Sequence, residues 1–401
     1  MTYREPPRVR LVRGKQGERT VHVRCGCPVA RSFRVEQAAG MFGLKLSDEH
    51  REAFRVVLPP AIKPWQIGLI VGPSGSGKST LAEAIFGDRL VRTHQWPADR
   101  AVIDAFALPI RRTVRLLTAV GFGSPPSWLK PYRVLSQGER FRCDLARAFA
   151  EAWNGTRETP SEDRLVPELL PADDRETVVF DEYTSVVDRQ TAKVVSAAVA
   201  RSLRRGDIPC RFVAVTCHYD VIDWLTPDWV IDMQSGTFHG GCLRRPPIEL
   251  AIVPCTRDAW GAYRRFHYLS GSLPAGARCY LAVWETEAVA FCATASVLGR
   301  RGRRRISRLV VRPEFQGIGI GGAFLDAIAA WHARRGIPMH VTASHPAVIA
   351  HCRRSPRWCV VDVRRAGATR RSRLAPAYRG VEGRAAVSFR YVETEPRRHG
   401  A

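Results

Sequence analysis

In GPSGSGKST, residues 72–80, Gly72 and Gly77 frame a loop that closes on Lys78 and Ser79. Backbone N–H groups of such a loop, together with the positive end of a following helix, surround the β- and γ-phosphates of a nucleotide. Lys78 adds a point charge and Ser79 offers a hydroxyl to Mg2+, while Ser74, Gly75 and Thr80 complete the phosphate-facing positions. A second set is Asp181-Glu182, two carboxylates that end the apolar residues 178–180. One can hold Mg2+ through water, and the next can polarise the water that attacks the γ-phosphate. His218 ends another apolar run, FVAVT, and can touch the same phosphate. The third set is Gln316-Gly317-Ile318-Gly319-Ile320-Gly321-Gly322, a glycine turn that leads into an apolar helical pattern and predicts a second anion-binding helix N-terminus.

These residues need strands and helices to aim them. Residues 67–71 read as a buried strand and residues 81–86 as a helix, so strand, loop and helix stand in the required order. Residues 309–311 form a short strand ahead of the second glycine turn, and residues 323–331 a helix behind it. The acidic, proline-containing residues 157–176 read as a surface insertion, and CLRRPPIEL, with Pro246-Pro247, as a linker. GRRGRRRISR, residues 299–308, reads as a turn leading into the strand before the second loop.

The chain has 401 residues, enough for two or three domains, and 45% hydrophobic residues, enough for their cores. No long apolar run or leader-like N-terminus is present, which predicts a cytoplasmic protein without a membrane partner. Eleven scattered cysteines fit reduced thiols. Cys25 and Cys27 with His22 lack a second ligand pair at zinc-finger spacing, so zinc is not expected. The net charge of +24 is uneven: residues 1–40 carry +6, residues 41–240 balance to zero, and residues 241–401 carry +18. Basic ends on a neutral middle predict a polyanionic partner, DNA or RNA.

With the motifs placed, the middle of the chain resembles the ATP-binding-cassette (ABC) ATPases. Residues 72–79 resemble the Walker A loop, Leu135-Ser136-Gln137-Gly138-Glu139 the signature, residues 178–182 the Walker B strand, residues 185–188 the D-loop and His218 the switch histidine. The signature departs from LSGGQ at Gln137 and Glu139 but keeps Ser136 and Gly138. The resemblance implies a Q-loop glutamine, for which Gln95 is the candidate, sharing Mg2+ with Ser79 and Asp181. It also implies an adenine-stacking aromatic, for which Phe42 is the choice. Because each chain has one copy of each motif, it further implies an ATP-dependent homodimer in which Ser136 of one copy caps ATP on Walker A of another.

The C-terminal segment resembles the GNAT acyltransferases through Arg312-Pro313-Glu314-Phe315 followed by Gln316-x-x-Gly319-x-Gly321 and a helix. The resemblance implies that amides of residues 318–322, with Gln316, Gly317, Gly319, Gly321 and Gly322, bind the pyrophosphate of acetyl-CoA or another acyl-CoA. It implies too that the strand ending at Val311 splays to admit pantetheine. The tyrosine acid of that family is missing: SHPAVIAHCRRSPRW, residues 344–358, puts Cys352 in its place. His345, His351, Cys352, Tyr268 and Glu314 are therefore all candidates for acid or base. FHYLSG together with residues 344–358 also has a faint similarity to acyltransferase-like enzymes of the Mom type, which modify DNA bases.

The expected architecture is α/β: a basic N-terminal β-rich extension over residues 1–40, a P-loop ABC-type nucleotide-binding domain over residues 41–245, and a basic GNAT-like α+β acyltransferase domain over residues 246–401. The leading reading is an ATP-hydrolysing, acyl-CoA-dependent N-acyltransferase acting on nucleic acid. The alternatives are a DNA-clamping ATPase with a non-catalytic GNAT-like module, and an ATP-regulated protein or small-amine acetyltransferase.

Overall fold

The computed structural model describes residues 8–392 except 14–18, 30, 48, 59–63, 93, 156–175, 242–247, 268–271, 298 and 366–384. The expected insertion at 157–176 falls almost wholly outside the described residues, as do most of the linker and Tyr268. Side chains of Cys25 and Cys27 are likewise outside them. The described residues form two compact units. One joins residues 1–96 to 143–245, and the other joins residues 97–142 to 246–401.

In the first unit, Arg8–Arg13, Arg19–Pro28 and Glu49–Leu58 form a three-stranded antiparallel sheet. A six-stranded sheet runs, in spatial order, Leu90–Val91, Thr177–Phe180, Arg211–Thr216, Ile67–Val71, Trp229–Asp232 and Thr237–Gly240, parallel except for the last pair. Ile67–Val71 and Arg211–Thr216 are buried throughout, as central parallel strands covered on both faces must be. Apolar, β-branched sequences such as IGLIV suit that position. Gly68 is required within it, because a Cβ there would stand 2.1 Å from the Trp229 ring. Trp65, Ile70, Leu81, Ile85, Phe86 and Trp229 belong to the core that joins this sheet to the three-stranded one.

The second unit holds a seven-stranded sheet in the order Ala251–Cys255, Arg278–Trp284, Glu287–Val297, Arg300–Val311, Met339–Ala343, Ala386–Tyr391 and Trp358–Arg364. All pairs are antiparallel except Arg300–Val311 with Met339–Ala343. That parallel pairing runs from Arg304 opposite Met339 to Ile306 opposite Val341, and the first strand continues beyond it to Val311. The strands therefore part at the end that carries the glycine turn. The arginine run 299–308, expected as a turn, lies mostly in this strand, paired across to Glu287–Val297. The apolar partner strand and residues 309–311 impose the extended form on a run whose own composition reads as a turn.

Candidate functional site

Gly77, with φ 80°, ends the first loop and opens the helix Lys78–Phe86, so the loop amides and the helix N-terminus converge. Gly72 and Thr80 are buried, whereas Ser74 and Gly75 are exposed. Lys78 Nζ donates to the Pro73 carbonyl at 2.7 Å, across the mouth of the loop. Ser79 Oγ donates to Asp181 Oδ1 at 2.9 Å, which joins the loop to the end of the strand Thr177–Phe180. A hydroxyl and a buried carboxylate in contact are oxygen donors of the kind that can hold a hard divalent cation. Arg92 Nε stands 3.7 Å from Asp181 Oδ2.

Glu182 follows in the left-handed region, with φ 50°, exposed and beside Asp181, whose Oδ1 accepts its backbone N–H at 3.0 Å. A non-glycine residue in this conformation stores strain, and here the turn projects a carboxylate from the strand end. His218 is held below the ordinary histidine pKa, chiefly by burial, then by the positive charge of Arg189. Asp220 and Glu182 pull the other way, and Lys78 adds to the lowering. A neutral imidazole facing both Glu182 and Lys78 can hydrogen-bond a phosphate oxygen without carrying full charge.

Gln95 is exposed, and its backbone carbonyl accepts from Arg147 Nη1 at 2.6 Å. The described contacts do not bring it to Ser79 or Asp181. Phe42, in the helix Phe33–Phe42, is 74% exposed. Phe54, which sequence reasoning missed, packs its ring over Gly77, where a Cβ would lie 2.5 Å away. Its alternating strand, EHREAFRVVL, carried the signal for a sheet-face aromatic but not for the loop it covers.

Ser136 precedes the helix Gln137–Trp153 and closes a capping box with Glu139: its N–H and Oγ donate to Glu139 Oε2 at 3.0 and 3.1 Å, and Glu139 N–H returns a bond to Ser136 Oγ at 3.3 Å. The departure at Glu139 thus has a local physical reason. The Gly138 carbonyl is taken by Arg142 Nη1 at 3.0 Å.

At the second glycine turn, Gly319, with φ 101°, opens the helix Ile320–Ala333, and Gly317 also has positive φ, 90°. Gly321 lies close to the splayed strand, since a Cβ there would be 3.2 Å from Val311 Cγ2. Gly322 is capped by the His351 ring, 2.5 Å from an added Cβ. His351 Nε2 is 3.0 Å from Asp326 Oδ1, which also accepts from Trp358 Nε1 at 2.7 Å. Asp326 was not foreseen; it sits one face of a helix turn beyond Gly322, a spacing that only the fold makes meaningful. Gln316 Nε2 donates to the Val311 carbonyl at 3.0 Å. Glu314 Oε2 stands 3.6 Å from Arg312 Nε.

His345 caps the helix Pro346–Arg354 by accepting from Ala347 N–H at 3.2 Å, and burial holds it below its ordinary pKa. Cys352 is fully buried, and its thiol is pushed up to about 12 by burial and by Asp326. That setting suits packing. Arg304, inside the basic run, donates from Nε to Thr294 Oγ1 at 3.2 Å and from Nη2 to the Thr294 carbonyl at 3.0 Å. It is a structural arginine.

Residues 246–353 match the acetyltransferase (GNAT) family. Elsewhere the chain is 34% identical over 125 residues to the hemin import ATP-binding protein HmuV of Roseobacter denitrificans, covering 23% of this chain and 48% of that protein. The chain thus spans about half the length of that relative. Among solved structures, a Bacillus subtilis acetyltransferase in complex with CoA is 11% identical, covering 37% of this chain and all of that one, with a TM-score of 0.27. The ATP-binding cassette MJ0796, in a dimeric post-hydrolysis state with ADP and phosphate, is 16% identical, covering 49% and 94%, with a TM-score of 0.33.

Proposed function

We propose, on the premise that this chain joins an ABC-type ATPase region to a GNAT acetyltransferase domain, that it is an ATP-gated, acyl-CoA-dependent N-acyltransferase acting on nucleic acid. One observation supports this reading above the others: a single chain holds two strand–glycine turn–helix cradles, at Gly77 and at Gly319, each with different chemistry around it. At the first, Lys78 and Ser79 bind phosphate, and Ser79 with Asp181 would hold Mg2+, which neutralises phosphate charge when bound. Glu182 orients and deprotonates the attacking water, and His218 steadies the γ-phosphate. Phe54 is the aromatic offered to the nucleotide next to the loop. Ser136 acts on a second copy, so ATP binding drives a homodimer.

At the second cradle, amides of residues 317–322 hold the pyrophosphate of acetyl-CoA, and the parted strands beyond Ile306 receive pantetheine. The acceptor nitrogen bonds to the acyl carbon, the thioester C–S bond breaks, and the thiolate leaves with the electron pair. His351, oriented by Asp326, is the base this site offers for the acceptor proton. The +18 charge of residues 241–401 supports a polynucleotide as the acceptor's carrier.

The test is transfer of radiolabel from acetyl-CoA to DNA or tRNA, with and without ATP. Label on a polynucleotide only when ATP is present supports the reading. Label on protein or small amines alone moves the chain to the ATP-regulated acetyltransferase alternative, and ATP-dependent clamping of DNA without label leaves the non-catalytic module.

A further inference from the structure

Gly123 lies in the segment 97–142, which belongs to the same compact unit as residues 246–401. Its peptide engages two residues around the second glycine turn. Gly123 N–H donates to Gln316 Oε1 at 3.0 Å, and Gln316 Nε2 donates onward to the Val311 carbonyl at 3.0 Å. Only one orientation of the carboxamide satisfies both bonds. The Gly123 carbonyl lies 3.1 Å from His345 Nε2. Because His345 Nδ1 accepts from Ala347 N–H, Nε2 carries the ring proton and donates to Gly123.

A side chain at 123 would have to push the end of Gln316 aside, whereas the backbone angle there does not call for glycine. A Cβ would stand 2.6 Å from Gln316 Oε1, and Gly123 is not among the positive-φ glycines. The segment is itself firmly built. Val120, Phe122 and Trp128 are buried, Trp128 Nε1 donates to the Phe122 carbonyl at 2.9 Å, and a bridge pairs Ala101 with Pro131. It continues through Tyr132–Val134 to Ser136.

We infer that the Gly123 peptide is a positioning element for acyl-CoA: it clamps Gln316 and His345, and through Gln316 ties the start of the glycine turn to the end of the splayed strand. Binding of acyl-CoA then answers to the segment that ends in Ser136, which under the proposed function meets ATP on a second copy. The regulatory part rests on that proposal; the clamp rests on the geometry.

The experiment uses the full chain with two variants. Gly123→Ala pushes the carboxamide aside. Gln316→Glu keeps the acceptor for Gly123 but sets an oxygen against the Val311 carbonyl. Hydrogen exchange of the amides of residues 317–322, without ligand, should quicken about tenfold in both, with unchanged melting temperature and ATP affinity. Acetyl-CoA Kd should rise about tenfold in Gly123→Ala, and the double variant should be no worse than the more affected single variant. Unchanged exchange in Gly123→Ala, or effects of the two changes that multiply, overturns the clamp. Quickened exchange in a protein whose wild type binds no acetyl-CoA upholds the clamp and defeats the acyl-CoA reading instead.

Discussion

Residues 72–77 and residues 316–319 each lie between a strand and a helix that opens on a left-handed glycine, but they are held differently. The first turn takes its polar bonds from itself and from its own sheet, with Phe54 packed over Gly77. Lys78 bonds back to Pro73, and the bond from Ser79 to Asp181 reaches the end of Thr177–Phe180, a strand of the same sheet separated from Ile67–Val71 by Arg211–Thr216. The second is supported from far along the chain, by Gly123 on one side and by His351 with Asp326 on the other. A cradle whose phosphate-facing groups are all local can carry its signature in nine residues. A cradle built from remote supports cannot, yet those supports give other parts of the molecule a hold on it.

The largest expected effects come from disabling one cradle at a time. Gly321→Glu puts bulk beside Val311 and negative charge at a helix N-terminus that should bind pyrophosphate. Acetyl-CoA binding should be lost and ATP binding kept, which equilibrium titration of both ligands checks; unchanged acetyl-CoA affinity would break the comparison. Glu182→Gln should slow ATP hydrolysis by orders of magnitude while ATP still binds and a dimer accumulates. Steady-state hydrolysis with sedimentation reads both outcomes, and a normally hydrolysing or monomeric variant would remove Glu182 or the dimer from the account.

Asp326→Asn should lower the acyl-transfer rate about 100-fold at saturating acetyl-CoA, because the His351 ring loses its charged partner. A change confined to acetyl-CoA affinity would instead make Asp326 part of the turn's packing. A smaller effect is expected from Arg303, Arg353 and Arg357 changed together to alanine. Every arginine that pairs with a phosphate should, once removed, flatten the log K against log salt slope on duplex DNA by roughly 0.9. Arg304 is left in place because it bonds Thr294. Identical slopes would leave these arginines as a solvated face.

The smallest effect is on acid stability. His332 is buried beside Arg304, Arg278 and Arg335, and burial first, then these charges, lower its pKa from 6.5 to about 4. The unfolded chain binds a proton there that the folded chain refuses, so stability present above pH 6.5 falls as pH drops toward 4. Urea titrations of wild type and His332→Leu should show the shallower acid slope in the variant. Equal slopes would assign the acid response to other groups.

Local order carried far in this chain. The strand at residues 67–71, the turn into Lys78, the strand end at Asp181 and the helix after Gly319 were all legible, because each depends on a run of neighbouring residues. The arginine-rich strand was not, since pairing with Glu287–Val297 overrides its turn-like composition. Phe54 over Gly77, Asp326 beside His351 and Gly123 against Gln316 were invisible for a related reason: their sequence separations carry no periodic signal, and only the fold brings them together. Glu139 lies between these cases. Its Ser-x-x-Glu pattern is a capping box that could have been read locally.

Acyl-CoA itself carries an adenine nucleotide, so binding both ligands at once shows whether the two cradles are chemically separate. Equilibrium dialysis of the full chain against radiolabelled acetyl-CoA, while non-hydrolysable ATP analogue with Mg2+ is added to saturation, makes that measurement. One acetyl-CoA should bind per chain, retained when the analogue fills the loop at Lys78 and lost only in Gly321→Glu. Displacement of acetyl-CoA by the analogue, or its loss on changing Lys78 rather than Gly321, would mean that a single loop binds both ligands.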